Sequence, residues 1–314
     1  MIFIVGPTAT GKTKLALNLA QTLNADILSA DSRQLYQGLE VTTGVDLPTN
    51  FSESQETLGE YQFFTNGQIN LYGVSFLKQN EEWSIAHFRD YAELVWQKTV
   101  TDKKQLIIVG GSGLYHHSLF LDKSTLQVEP SKKLREELQN STIEELQTRL
   151  IGQYPQVRTL LNDSDWQNPR RLMRWIEKTS AKESPTQSGT PSIFGSETDH
   201  TWIGLSCNKE ILEKRIWDRV ERRIETGAIR EVELLLANNE GEKLPSLSTL
   251  GVKDIAMYIN NQISKEELLT LWSRHEFQYA KRQITWFKKR EYINWIDMEE
   301  MFTSQMINDI LNEV

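Results

Sequence analysis

Apolar and polar positions along this chain follow two periods, and their order predicts an α/β fold. Ile2-Phe3-Ile4-Val5 is a continuous apolar run, the pattern of a strand buried on both faces. Leu15, Ala16, Leu19, Ala20 and Leu23 then recur at helical spacing. Further strands are predicted over Ala25 to Ala30 and Gln105 to Val109. Between them, Phe88, Tyr91, Ala92 and Val95 share one face of a helix over Ser84 to Thr99, with Ser84 as N-cap. Residues 46–68 are polar and rich in turn formers, which predicts a loop with little regular structure. Strand, helix, strand, then helix and strand again is the order of a parallel sheet covered by helices.

The pattern then changes. Pro130 to Lys182 carries three helical patterns and no convincing strand, closed by a Ser/Pro/Thr/Gly-rich stretch, Ser184 to Ser196, that reads as a mobile loop. The α/β pattern resumes with a strand at Trp202 to Leu205. A charged helix follows from Asn208 to Thr226, stopped by Gly227, and another helix begins near Ile229. Ser264-Lys265-Glu266-Glu267 is a capping box. It opens a long helix to Lys289 that carries Leu268, Leu271, Trp272, Phe277, Ala280, Ile284 and Phe287. Ile293 to Ile296 adds an edge strand. The predicted architecture is a P-loop-type parallel sheet flanked by helices, formed by 1–122 and 197–314, with an all-helical insertion at 123–196.

Between the first strand and first helix lies Gly6-Pro7-Thr8-Ala9-Thr10-Gly11-Lys12-Thr13, which fits the phosphate-loop pattern G-x-x-x-x-G-K-[ST] in its proper context. The glycines let backbone N–H groups turn inward, and the helix N-terminus adds positive potential. Lys12 supplies a full charge, and the Thr13 hydroxyl can ligate Mg²⁺.

Composition excludes several classes. Apolar content is 39% and charged content 25%, with no stretch of membrane-spanning length. A single cysteine, Cys207, excludes an intrachain disulfide and a Cys-rich zinc site; it reads as a small buried apolar residue. These features predict a cytoplasmic protein. The net charge of −8 argues against a nucleic-acid partner, but its distribution argues the other way. Arg274, Lys281, Arg282, Lys288, Lys289 and Arg290 cluster against one acid, Glu276. Arg170, Arg171, Arg174, Lys178 and Lys182 cluster against Glu177.

In a parallel sheet, ligands bind outside the carboxyl ends of the strands, so Gly6 to Thr13, Asp31 to Gln34 and Gly110 to Tyr115 should surround one cleft. An ATPase would carry a magnesium-holding Asp at the end of the strand Leu106-Ile107-Ile108-Val109; two glycines stand there instead. Asp31 is the acid placed at a strand end, suited to proton abstraction or metal binding, or to capping its own turn.

Together the phosphate loop, the block Asp31-Ser32-Arg33-Gln34-Leu35-Tyr36, the turn Gly110-Gly111-Ser112-Gly113-Leu114-Tyr115 and the block Ala280-Lys281-Arg282-Gln283-Ile284-Thr285-Trp286-Phe287 resemble the tRNA dimethylallyltransferase family. That resemblance implies transfer of a dimethylallyl group from dimethylallyl diphosphate, with Mg²⁺, to the N6 amine of adenine 37 in the tRNA anticodon loop. It implies Asp31 as proton acceptor, Ser112 as the group orienting amine or carboxylate, and Arg219 as a diphosphate ligand. It implies tRNA contacts by Asp31, Ser32, Arg33, Gln34 and Ser112, by Arg135, Arg170, Arg171 and Arg174 on the insertion, and by Arg282 and Gln283. The helical neighbours of Arg219 (Arg215, Ile216, Arg222 and Arg223) include no acid, so it has no ion-pair partner on its own helix. Trp286 is either a stacking residue or core, and core is preferred because it continues the apolar stripe. The target base must be flipped out of its loop to reach a buried allyl carbon. The implied partners are the tRNA anticodon stem-loop and dimethylallyl diphosphate, with no membrane, and the chain acts as a monomer.

The chain departs from the family pattern at Asn70-Leu71-Tyr72-Gly73, at Gly251-Val252-Lys253-Asp254, at Ser112 in place of threonine, and at Trp175 in Arg174-Trp175-Ile176-Glu177. Two other chemistries share parts of the pattern: prenyl transfer to free AMP, ADP or ATP, and small-molecule phosphorylation on the same loop.

Overall fold

The computed structural model describes residues 1–122, 126, 128, 131–180, 192–239, 244–298 and 310. The chain divides into two units, Met1–Leu119 with Ser196–Val314, and Phe120–Gly195.

The larger unit holds one sheet of β1 (Ile2–Val5), β2 (Ala25–Ser29), β3 (Ser52–Leu58), β4 (Tyr61–Thr65), β5 (Asn70–Tyr72), β6 (Gln105–Gly110), β7 (Thr201–Ser206) and β8 (Asn294–Asp297). Their spatial order is β3-β4-β5-β2-β6-β1-β7-β8. From β5 to β8 every pairing is parallel; β3 and β4 add an antiparallel hairpin at one edge. Helices α1 (Lys12–Leu23), α2 (Glu40–Thr43), α3 (Ile85–Thr101), α4 (Gly113–Ser118), α10 (Lys209–Thr226), α11 (Ala228–Asn238), α12 (Val252–Ile259) and α13 (Lys265–Phe287) belong to this unit. Alternation on β1 explains the layers. Ile2 and Ile4 pack with Leu15, Ala16, Leu19 and Ala20 of α1. Phe3 points the other way, stacking on Trp202 at 4.1 Å and meeting the buried His116 ring at 5.9 Å. Burial pushes His116 down to about 3, so it stays neutral.

The predicted N-cap at Ser84 and capping box at Ser264 are both present. Ser84 accepts from the His87 N–H, and Ser264 accepts from the Glu267 N–H at 3.2 Å while Glu267 accepts back from Ser264. Gly227 ends α10 with φ 121°.

Residues 46–68 differ from the predicted loop: they contain β3 and β4. Ser52–Leu58 is polar and exposed on both faces, so no apolar alternation marks it. It is an edge strand, held by its hairpin partner rather than by burial. The sheet reaches it through a tertiary contact. Buried Asp26 on β2 accepts from Asn70 N at 2.9 Å, Asn70 Nδ2 at 3.0 Å and Lys104 Nζ at 2.7 Å, which fixes β5 beside β2. Cys207 is half-buried rather than enclosed.

In the smaller unit, the three predicted helices become five: α5 (Lys132–Leu138), α6 (Ile143–Gln153), α7 (Val157–Leu160), α8 (Asp163–Trp166) and α9 (Pro169–Ser180). Two are single turns, too short to show a period. Leu138, Leu146, Leu150, Val157, Leu161, Leu172 and Ile176 form their core. Of the Ser184 to Ser196 stretch, 184–191 lie outside the described residues, as do Lys182 and Pro130. No described helix is long and apolar enough to cross a membrane.

Candidate active site

β2, β6 and β1 are neighbours in the sheet and parallel, so their carboxyl ends lie side by side. Two strand spacings, about 10 Å, separate the ends of β2 and β1. The phosphate loop follows β1, Asp31 follows β2 and the Gly110 turn follows β6. All three line one cavity of about 680 Å³.

The loop is shaped to receive an anion. Gly11 precedes α1 in a left-handed conformation and brings no side-chain cap, so the first N–H groups of α1 are left for a ligand. Ala9 holds a left-handed φ of 64°, a strained value for a residue with a Cβ. Thr10 Oγ1 and Lys12 Nζ both donate to Pro7 O, at 2.9 and 2.7 Å. Desolvation pushes the Lys12 ammonium down to about 8, with Asp31 opposing that fall and Arg219 adding to it. A bound diphosphate would reverse it.

Arg219 reaches the loop from α10. Its Nη1 donates to Thr8 Oγ1 at 2.7 Å, and Nη2 donates to Gly44 O at 3.0 Å and Asp46 Oδ2 at 3.1 Å. A basic helix face open to solvent is therefore not its setting, and its ion-pair partner comes from another element. One turn on, buried Arg223 donates to Glu276 Oε1 at 2.9 Å and Thr43 O at 3.2 Å. Both guanidiniums converge on Gly44, where a Cβ would lie 2.0 Å from Arg223 Nη2 and 2.3 Å from Arg219 Nη2. Half-buried Glu231 on α11 grips the other end of the same segment, accepting from Val41 N, Thr42 N and Thr42 Oγ1. The wall residues Val45, Asp46 and Leu47 follow directly. With Leu71 and Val74 they give the cavity an apolar side beside its charged one.

Asp31 Oδ1 accepts from the Arg33 N–H at 3.0 Å, a tight local turn, while its carboxylate lines the cavity. Ser112 is buried. Its Oγ accepts from Ser32 N at 2.9 Å and donates to Ser32 Oγ at 3.1 Å, tying the Gly110 turn to the Asp31 turn. Tyr279 lies beside Ser112; burial and the Asp31 charge push its hydroxyl up to about 12, so it remains a neutral phenol. Gln34 lines the cavity and donates through Nε2 to Gly44 O at 2.7 Å. Arg33 Nη1 donates to Ser248 O at 2.9 Å.

The sequence matches the IPP transferase family model over residues 34–290. The chain is 33% identical to a tRNA dimethylallyltransferase of Synechocystis sp. over 302 residues, 96% of this chain and 91% of that one. It is 31% identical to tRNA dimethylallyltransferase 1 of Azobacteroides pseudotrichonymphae over 318 residues, all of this chain and 97% of the other. A solved tRNA delta(2)-isopentenylpyrophosphate transferase from Staphylococcus epidermidis superposes with a TM-score of 0.66 at 28% identity, covering 99% of this chain and 97% of that one.

The chain belongs to the IPP transferase family.

The family match begins at residue 34, after the phosphate loop and Asp31, so those groups stand on the cavity geometry given above. Within this IPP transferase, the residues implied as RNA contacts fall into different settings. Arg282 and Lys281 are exposed on α13, and Arg170 is exposed on α9. Arg135 and Arg174 are engaged by buried Glu177, at 2.7 and 3.0 Å, and Arg171 pairs with Asp165. Gln283 is buried, and its Oε1 accepts from Thr8 N at 2.9 Å. Trp286 is half-buried, with Arg290 stacked over its ring at 4.8 Å. Tyr279, Arg223 and Glu231 escaped sequence reasoning. Each acts through a partner distant in the chain, and no local motif marks them.

Proposed function

We propose that this protein transfers a dimethylallyl group from dimethylallyl diphosphate to N6 of adenine 37 in the tRNA anticodon loop, acting as a cytoplasmic monomer. The observation that carries the proposal is a single cavity lined by a phosphate loop, a carboxylate at the next strand end but one, and an apolar wall. The diphosphate sits on the uncapped start of α1 with Lys12 and Arg219; the five-carbon group lies on Val45, Leu47, Leu71 and Val74. N6 attacks the allylic carbon, an N–C bond forms, and the C–O bond breaks with its electron pair leaving on diphosphate. Lys12, Arg219 and the loop N–H groups stabilise that growing charge. Asp31 accepts the N6 proton, and the Ser112 hydroxyl orients the amine.

The donor set suits Mg²⁺ shared with the ligand. Thr13 lines the cavity beside Lys12 and offers a hard oxygen, and no group of three His, Cys, Asp or Glu among the described residues forms a separate cage. Bound by Thr13 and diphosphate oxygens, the ion would offset leaving-group charge. Exposed Arg282, Lys281 and Arg170 suit RNA phosphates.

The test is incubation with dimethylallyl diphosphate, Mg²⁺ and unmodified tRNA carrying adenine at position 37. Label in tRNA and none in AMP is the expected result. Label in AMP instead, or ATP consumption without prenyl transfer, would replace this reading with a free-nucleotide transferase or a kinase.

A further inference from the structure

The inner face of α13 presents Glu276, Tyr279 and Gln283 at helical spacing, and each meets a different part of the site: Arg223, Ser112 and Thr8. Gln283 is only 3% exposed. Its Oε1 accepts from Thr8 N at 2.9 Å, and because an N–H cannot bond an NH₂ donor, this contact fixes the carboxamide orientation. Nε2 then lies against Gly111, where a Cβ would be 1.9 Å away, so only a glycine admits the carboxamide there. That Nε2 is buried and has no hydrogen-bond partner among the described residues, while Oε1 is engaged by Thr8 N.

Thr8 is tied a second time. Its Oγ1 accepts from Arg219 Nη1 at 2.7 Å. The two bonds join the loop to residues 275 and 211 positions away, whereas Thr10 Oγ1 and Lys12 Nζ bond within the loop, to Pro7. Thr8 is thus the point where α13 and α10 both hold the phosphate loop. The neighbouring Lys281 and Arg282 are exposed, on the other side of the helix.

We infer that Gln283 is a positioning residue of the phosphate loop and not an RNA contact. By fixing Thr8 it fixes the Arg219 guanidinium, and so the geometry in which a diphosphate is gripped. The inference rests on the proposed role of the cavity as a diphosphate site.

Gln283→Met keeps length and volume but removes the strong acceptor and leaves the Thr8 N–H unpaired. Isothermal titration of wild type and variant, with dimethylallyl diphosphate and separately with an unmodified anticodon stem-loop, tests it. The expected result is a diphosphate Kd raised about tenfold, because a Thr8 no longer held by α13 leaves Arg219 to be ordered at the expense of binding, with the stem-loop Kd changed by less than about twofold. A stem-loop Kd that rises as much as the diphosphate Kd, or a diphosphate Kd that does not move, overturns it. Wild type that takes up no diphosphate would overturn the proposed function, which is a distinct outcome. If Gln283→Met fails to fold, hydrogen exchange of the Thr8 amide in ligand-free wild type decides: slowing of at least about tenfold supports the inference, and exchange at the free-loop rate overturns it.

Discussion

Two arginines, Arg219 in the sheet unit and Arg174 in the helical unit, have similar exposure and opposite commitments. Arg219 rests on a hydroxyl, a backbone carbonyl and Asp46, whose side chain is 74% exposed. Each of those partners can turn to water if the guanidinium shifts to an anion. Arg174 rests on Glu177, whose side chain is 1% exposed and which also holds Arg135. Burial pushes Glu177 up, but the hydrogen bonds and charges of the two arginines outweigh it and hold the group below its ordinary value. Withdrawing Arg174 would take one of two cationic partners from a buried carboxylate, which costs more than releasing a solvated one. The burial of the partner, not the number of arginines, decides which positive charge can be lent to a substrate.

The cavity groups should therefore fail in chemistry and the insertion groups in stability. The largest effect is expected at Asp31. Asp31→Asn keeps the acceptor for Arg33 N–H but cannot take a proton, and single-turnover prenyl transfer should fall by about 10³-fold with the protein fully folded. Lys12→Met removes a desolvated charge. Diphosphate Kd should rise about 100-fold, while thermal unfolding shows no loss of stability, because burial already opposes the ammonium. In wild type the same ammonium gives a pH signature. With Lys12 near 8 in the free protein, the protonated form that grips diphosphate is depleted above that pH, so diphosphate affinity should be flat below pH 7 and fall up to about tenfold per pH unit above 8. A flat titration to pH 9.5, past about 8, would place the Lys12 charge outside the binding step. The smallest effect on the site is expected from Glu177→Gln. It should cost the helical unit about 1–3 kcal/mol, read by chemical denaturation, and leave diphosphate Kd unchanged. Because the folded pKa of Glu177 is depressed, its contribution is present above the unfolded carboxylate range and is lost as pH falls through the folded value.

What was legible in the sequence follows the range of the interactions. β1, β2, β6, β7, α1, α3, α10 and α13 are written locally, as apolar periods with their caps, and the structure has them within a few residues. The convergence of Gly6 to Thr13, Asp31 and Gly110 on one cavity also followed from strand order alone. The β3–β4 hairpin was invisible because an exposed edge strand needs no apolar face. Arg219 could be read as a cation, but its attachment to Thr8 and Gly44 could not, since those partners come from other elements. Gln283 looked like its exposed neighbour Arg282. One helical step places the first beneath the phosphate loop and the second in solvent.

A crystal structure with a non-hydrolysable thiodiphosphate analogue of dimethylallyl diphosphate would locate the allylic carbon relative to Asp31. Attack by an amine whose proton passes to the carboxylate requires that carbon within about 7 Å of an Asp31 oxygen, with room for one nitrogen between them. The sulfur and phosphorus should lie on Lys12 and Arg219 with the carbon chain on Val45 and Leu71. An allylic carbon directed away from Asp31, or separated from it by a closed wall of side chains, would contradict the shared cavity as the place of transfer.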